Sequence, residues 1–143
     1  MSDTRTVVGE VFRHLAQWNA DEVGTLFADQ IEWFVPTAPA LPWGGYRARR
    51  GEVPDFFKTM WSYFHTEQSE LQIEQILVEG EDAVALGTFS HVANTTGVRF
   101  TTPVALHLQV KNGRVVRLYL YEDTYAVAKA FGVISDVPED AGR

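Results

Sequence analysis

The sequence predicts an α+β fold: a strongly curved antiparallel sheet wrapped around three helices, forming a cone with an internal cavity. Three observations lead there. Apolar residues recur at helical spacing up to Phe64, and at period two from residue 68 onward. The second half divides into four alternating stretches separated by turns bearing Gly, Asn or Asp, the pattern of consecutive antiparallel strands. Helices followed by a long sheet, in a chain of 143 residues, form one domain in which the helices cover one sheet face.

Each element has its local reason. Over about 3–18, Val8, Val11, Phe12 and Leu15 recur at helical spacing, and Ser2, Asp3 or Thr4 can cap the helix. Val7, Val11, His14 and Trp18 form an adjoining stripe. Asn19 with Glu22 three residues on reads as a second N-cap, and the short helix after it offers Val23, Leu26 and Phe27 to the core. Residues 30–35, QIEWFV, are a strand closed by Pro36. The stretch TAPALPWGGY, 37–46, is a loop with an exposed Trp43, a rim or lid. Pro54 then stands in the first turn of a third helix, where its missing N–H costs nothing. That helix carries a broad stripe of Val53, Phe56, Phe57, Met60, Trp61 and Phe64. Strands follow near 68–79, 82–93, 98–110 and 114–122. Asp123 caps a last helical piece, 124–131. The domain spans 1–131, and 132–143 is a flexible C-terminal tail.

The last hairpin organises the fold. Val104, Leu106, Leu108 and Val110 alternate with Ala105, His107 and Gln109, and Asn112-Gly113 marks the turn. A two-residue loop would break the apolar face by setting Leu108 opposite Arg117. A three-residue loop over 111–113 would set Leu108 opposite Val116 and Leu106 opposite Leu118, so burial is expected to select it. The apolar face then ends at Glu122, and the opposite face carries His107, Arg117, Tyr119 and Tyr121.

Composition narrows the function classes. A formal charge of −7 argues against a general binder of nucleic acid or anionic membrane. No cysteine is present, so disulfides, thiol nucleophiles and thiolate metal sites are excluded. The N-terminus is neither a signal peptide nor an anchor, no apolar run approaches a membrane span, and a soluble cytoplasmic protein is the expectation. His91 and His107 lie outside the usual metal-ligand spacings, so no metal site is expected.

The order of elements, with WNADEVGTLFADQIEWFVP (18–36), LPWGGYRARRGEVPDFF (41–57) and TPVALHLQVKNGRVVRLYLYEDTYAVAKAF (102–131), resembles the SnoaL-like and ketosteroid-isomerase-like superfamily, whose fold is also that of nuclear transport factor 2. The resemblance covers nearly all of the chain before the tail. It implies a cofactor-free enzyme acting on a cyclic or polyketide-like substrate by isomerisation, cyclisation or dehydration, or a binding protein using the same cavity. Carried over residue by residue, the isomerase base falls at Val35 and its oxyanion-hole tyrosine and aspartic acid at His14 and Leu106. The cyclase histidine and aspartate fall at Leu106 and Leu120. The two-aspartate, one-arginine pattern of the epoxide hydrolases is not evident.

Two side chains are candidate proton handlers. His14 lies on the shoulder of an apolar helical face, where an imidazole can donate a hydrogen bond or move a proton. Glu122, if it points inward, gains a raised pKa by desolvation; otherwise it is a rim carboxylate, or one paired with Arg47 or Arg99. Trp18, Trp33, Trp43, Tyr46, Phe57, Met60 and Trp61, with Leu106 and Leu120, are candidates to contact a flat apolar ligand or to form plain core. The run Arg47, Arg49, Arg50 reads as a solvated face, or as a contact for an anionic ligand group. His107, Tyr119 and Tyr121 offer a homodimer face, or a contact surface in a protein-interaction module.

Overall fold

The structure, a computed structural model, describes residues 3–134. The elements are α1 (Thr4–Ala16), α2 (Ala20–Thr25), β1 (Phe27–Val35), β2 (Gly45–Arg49), α3 (Glu52–Trp61), a 3-10 turn (Thr66–Gln68), β3 (Glu70–Glu79), β4 (Asp82–Val92), β5 (Arg99–Lys111), β6 (Arg114–Glu122) and α4 (Thr124–Ala130). One open six-stranded sheet runs β2-β1-β6-β5-β4-β3. Neighbours are antiparallel except β1 and β6, which run parallel. Beyond residue 134 the expected tail lies outside the described residues.

The sheet curves because its long strands carry defects on one side and small residues on the other. β3 has a bulge between Ile73 and Gln75 where it pairs with β4, and β6 has one opposite Val110. Bulges bend a strand and increase its twist. On the concave face of β4 stand Ala83, Ala85 and Gly87, all buried. A Cβ at Gly87 would strike the backbone carbonyl of Gln72, so only glycine lets β3 approach this closely.

Helices fill the concavity. The Asp3 carboxylate accepts from Thr6 N at 2.6 Å and starts α1, while Thr4 Oγ1 donates to Gly80 O at 2.8 Å. The second bond ties the helix start to the β3–β4 turn, and Val7, Val8 and Val11 are buried. Asn19 caps α2 by accepting from Glu22 N at 3.2 Å, as its sequence pattern predicts. α3 buries Val53, Phe56 and Phe57. α4 packs on β5, and Thr96 Oγ1 donates to Ala130 O at 2.6 Å.

The hairpin reaches one apolar face by a different route from the three-residue loop. Asn112 and Gly113 both take positive φ, 53° and 76°, in a two-residue turn with Lys111 opposite Arg114. The bulge on β6 then restores the faces, so Leu108 meets Leu118, Leu106 meets Leu120 and Val104 meets Glu122. Val115, not Val116, points inward. Burial selected the continuous face, and an inserted residue in the strand achieved it. β2 was also unforeseen: it is an edge strand with neither face fully buried, and so shows no apolar alternation. Among the described residues, no helix is long and apolar enough to cross a membrane.

Replacing Gly87 with Ala should therefore destabilise the protein by about 2–3 kcal/mol, since the obstacle is backbone and cannot swing away. Urea unfolding measures it, and a midpoint equal to the parent's would show that β3 can retreat.

Candidate functional site

The inner wall of β5 and β6 is almost wholly apolar. Leu106 and Leu120 are buried in it, directly opposite each other, and Val35 is buried at the end of β1. Hydrocarbon therefore fills the positions to which the resemblance carries its acid/base groups, and none of the three can exchange a proton.

Among the described residues, Thr102 and Glu122 are the polar exceptions on that wall, and Glu122 is the ionisable one. It continues the inward series of Leu118 and Leu120, and is half-buried. Its direction is fixed from behind: Thr102 Oγ1, itself buried, accepts from Asp123 N at 2.9 Å, and the Asp123 carboxylate accepts from Ala126 N at 3.0 Å to cap α4. Asp123 thus has the capping role its position predicts. Burial, and secondarily the Asp123 charge, push the Glu122 carboxyl up to about 7. Among the described residues no arginine neutralises it. Arg99 donates to Ser90 Oγ at 2.8 Å, and Arg47 lies over the Phe56 ring at 5.0 Å.

His14 is half-buried near the end of α1. Its Nδ1 is enclosed without a partner, and its Nε2 lies 3.3 Å from Arg13 Nη2. The charge that acts on Glu122 is Asp123, whereas the carboxylate beside His14 is Glu10. The two candidate proton handlers are therefore not a coupled pair.

The aromatic candidates separate into two groups. Trp18, Trp61, Phe57, Phe56, Trp33 and Phe27 form an unbroken run, with successive ring centroids 4.8, 5.4, 4.9, 4.9 and 5.8 Å apart. Met60 is half-buried beside it on α3. Trp18, 40% exposed, begins the run and has φ 57°. Its N–H donates to Leu15 O at 3.0 Å and that of Asn19 to His14 O at 3.1 Å, the helix-terminating pattern that glycine usually occupies. A bulky residue in that conformation costs about 1–2 kcal/mol; here its ring packs against Trp61. Trp43 belongs to the second group. It is 2% exposed, not a rim residue, and packs against Tyr63, Phe64 and Phe131 at 5.4–5.8 Å. The Pro/Gly loop folds inward because an indole gains more from burial than a short loop gains from solvent.

An open groove of about 460 Å³ lies where β1, β2 and the start of α3 meet. Trp33 and Tyr46 border it, together with Arg47, Glu52 and Tyr119. The other seven candidate ligand contacts do not border this groove. Trp33 is 1% exposed, and its Nε1–H has no acceptor among the described residues; Arg47 Nη1 is likewise enclosed and unpaired among them. Indole and guanidinium identity were legible in the sequence, but their lack of partners was not.

His91 and His107 are occupied. His91 stacks on Phe64 at 4.2 Å and shares a 2.8 Å hydrogen bond with Ser69 Oγ. Burial, with Arg99 nearby, lowers its pKa to about 4. His107 lies opposite Tyr119, with its Nε2 2.8 Å from Asp82 Oδ1.

A family model described as a SnoaL-like domain matches residues 8–118. No curated protein matches the sequence. Among solved structures, the fold is similar to that of a nuclear transport factor 2-like protein from Burkholderia thailandensis: TM-score 0.81, 20% identity, covering 91% of this chain and 98% of that one. A nuclear transport factor 2-like protein of unknown function from Burkholderia pseudomallei gives TM-score 0.81 at 22% identity, over 92% and 98%. TerC, co-crystallised with polyporic acid, gives 0.80 at 14% identity, over 92% and 99%.

The raised Glu122 pKa has a direct consequence for stability. The folded chain holds that proton more tightly than the unfolded chain, whose carboxyl titrates near 4.5. The native state therefore loses stability as pH rises from 4.5 to about 7, by up to about 3 kcal/mol, and the loss is constant above that. Glu122→Gln should match the parent below pH 4.5 and exceed it at pH 8. A difference in urea midpoints that does not change with pH would place the carboxylate in water.

Proposed function

We propose that this chain, which belongs to the SnoaL-like domain family, holds an apolar, ring-bearing small molecule of cyclic or polyketide-like type and moves a proton on it through Glu122. One observation carries the reading: a carboxyl group on a wall that is hydrocarbon but for the Thr102 hydroxyl, with no hydrogen bond to it among the described residues and a pKa raised by burial to about 7. At neutral pH such a group is present in both protonation states. Isomerisation, cyclisation and dehydration each take a proton from one atom and deliver one to another, so one carboxyl of this kind can serve both halves of the step. No cofactor is required for that chemistry.

Val35, Leu106 and Leu120 favour a second reading, a protein that binds such a ligand without turning it over. Either protein would work in the cytoplasm as a homodimer, joined through the outer face that carries His107, Tyr119 and Tyr121. Tyr121 is 56% exposed, which suits a covered surface better than bare water.

Tryptophan fluorescence against a panel of steroids and aromatic polyketides should find a ligand. On any substrate turned over, Glu122→Gln should lower kcat about 100-fold or more with KM nearly unchanged. An undiminished rate would remove Glu122 from the chemistry, and binding without turnover in the parent would leave the carrier.

Light scattering should report a dimer that Tyr121→Glu dissociates. A parent protein that stays monomeric at high concentration would end the dimer reading.

A further inference from the structure

We propose that the Glu122 site takes a second class of ligand, a lipophilic ammonium ion, which pairs with the carboxylate and blocks turnover of the neutral ligand. This rests on the reading that Glu122 meets the bound molecule. Glu122 is half-buried and follows Leu118 and Leu120 on the inward side of β6. It is level with Val104 on β5 and, beyond it, Gly87 on β4, so the positions beside it across the sheet are hydrocarbon or bare backbone. No hydrogen bond reaches its carboxyl among the described residues. The Thr102 hydroxyl on the same wall is already engaged: it donates to Pro103 O and accepts from Asp123 N, each at 2.9 Å. An ionised carboxyl in such a place lacks both water and a counterion.

The bases on the surrounding elements are turned elsewhere. Arg99 of β5 donates to Ser90 Oγ at 2.8 Å, and Lys129 of α4 lies over the Tyr125 ring at 5.4 Å. On α1, Arg13 pairs with Glu10 at 2.8 Å, and His14 lies against Arg13. Arg117 of β6 pairs with Glu32 of β1 at 2.7 Å. His91 of β4 is held uncharged at neutral pH by its burial. The charge that does act on Glu122 is a like one, Asp123, and its role as the α4 cap fixes it in place. The formal charge of the whole chain, −7, has the same sign. Local contacts and the wider field therefore both favour an entering cation over an entering anion.

A lipophilic ammonium ion matches both parts of this wall. Its apolar body meets the hydrocarbon, and its N–H groups give the carboxylate the charge-assisted hydrogen bonds it lacks. The pair forms only with the ionised carboxyl, so binding expels the proton that Glu122 carries below about pH 7. A carboxylate held by an ammonium ion no longer returns a proton to a substrate. A neutral ligand has no charge to satisfy, so its affinity follows that proton only weakly. Amine and neutral ligand compete for one place, and rising pH shifts the balance toward the amine.

The probe is 2-naphthylmethylamine, titrated into the full chain by calorimetry from pH 5 to pH 8, with 2-naphthylmethanol as its uncharged counterpart. The amine stays protonated over that range, so its affinity follows the ionised fraction of Glu122. It should rise about 50-fold from pH 5 to 7 and about 2-fold more by pH 8. The alcohol should change less than 3-fold, and at pH 8 should bind at least 10-fold more weakly than the amine. At pH 6, heats in buffers of different ionisation enthalpy should show close to one proton released per amine bound. Glu122→Gln keeps the shape of the side chain. It should weaken the amine at least 10-fold at pH 8, remove its pH dependence, and leave the alcohol within 3-fold. On any neutral substrate turned over, the amine should inhibit competitively. Amine affinity that is flat from pH 5 to 7, or unaltered by Glu122→Gln, would overturn the proposal while binding of the alcohol left the apolar site standing. Binding of neither probe would remove the proposal together with the reading it rests on.

Discussion

The pairing of β5 with β6 is the constraint from which the rest follows. Shifted by one residue, that hairpin would turn Leu118 and Leu120 outward and bring Arg117 and Tyr119 in. The helices would then face charge, and the concave core would not form. The register that prevents this is a compromise. The Asn112-Gly113 turn, with positive φ at both residues, sets one pairing, and the extra residue in β6 changes it to the one burial requires. That bulge also bends the sheet, so one local defect both fixes the faces and shapes the concavity.

The same register delivers Glu122 to the inside. A side chain two residues beyond Leu120 on a regular strand has no choice of face. Its carboxyl is buried by inheritance from the hydrophobic pattern, not by a contact of its own. Thr102 and the Asp123 cap then turn the chain into α4 directly after it, so the strand cannot fray to release the group. A raised pKa in this setting is a property of topology. It persists as long as the leucines before it stay buried.

Most of the architecture was legible because most of it is pattern. Helical spacing, period-two strands, the Asn19 and Asp123 caps and the inward Glu122 all express rules local to a few residues. Three features were hidden for physical reasons. β2 is an edge strand whose burial follows no alternation, so nothing in GYRAR announces it. The bulge in β6 depends on what β5 and the helices need, which no window of adjacent residues contains. Trp43 sits in a loop whose composition promises exposure, yet its ring fills space between α4 and the Tyr63–Phe64 stretch, which is tertiary information. The site divides along the same line. Which residues are aromatic or charged is written in the chain; which of their polar atoms lack a partner is decided only by assembly.

Those unpaired atoms are what give an apolar fold its chemistry. Hydrocarbon walls bind by area and discriminate poorly among ligands of similar shape; a methylene more or less changes affinity only modestly. A buried donor or acceptor without a partner discriminates strongly, because a ligand that fails to satisfy it leaves the full desolvation cost standing. Among the described residues such enclosed atoms are few: Nδ1 of His14, Nε1 of Trp33, Nη1 of Arg47 and Nε of Arg117, with the half-buried Glu122 carboxyl beside them as a group without a hydrogen-bond partner. Glu122 and the Trp33–Arg47 pair lie at different levels of the sheet and have opposite polarity, one able to give or take a proton, the other only to donate hydrogen bonds.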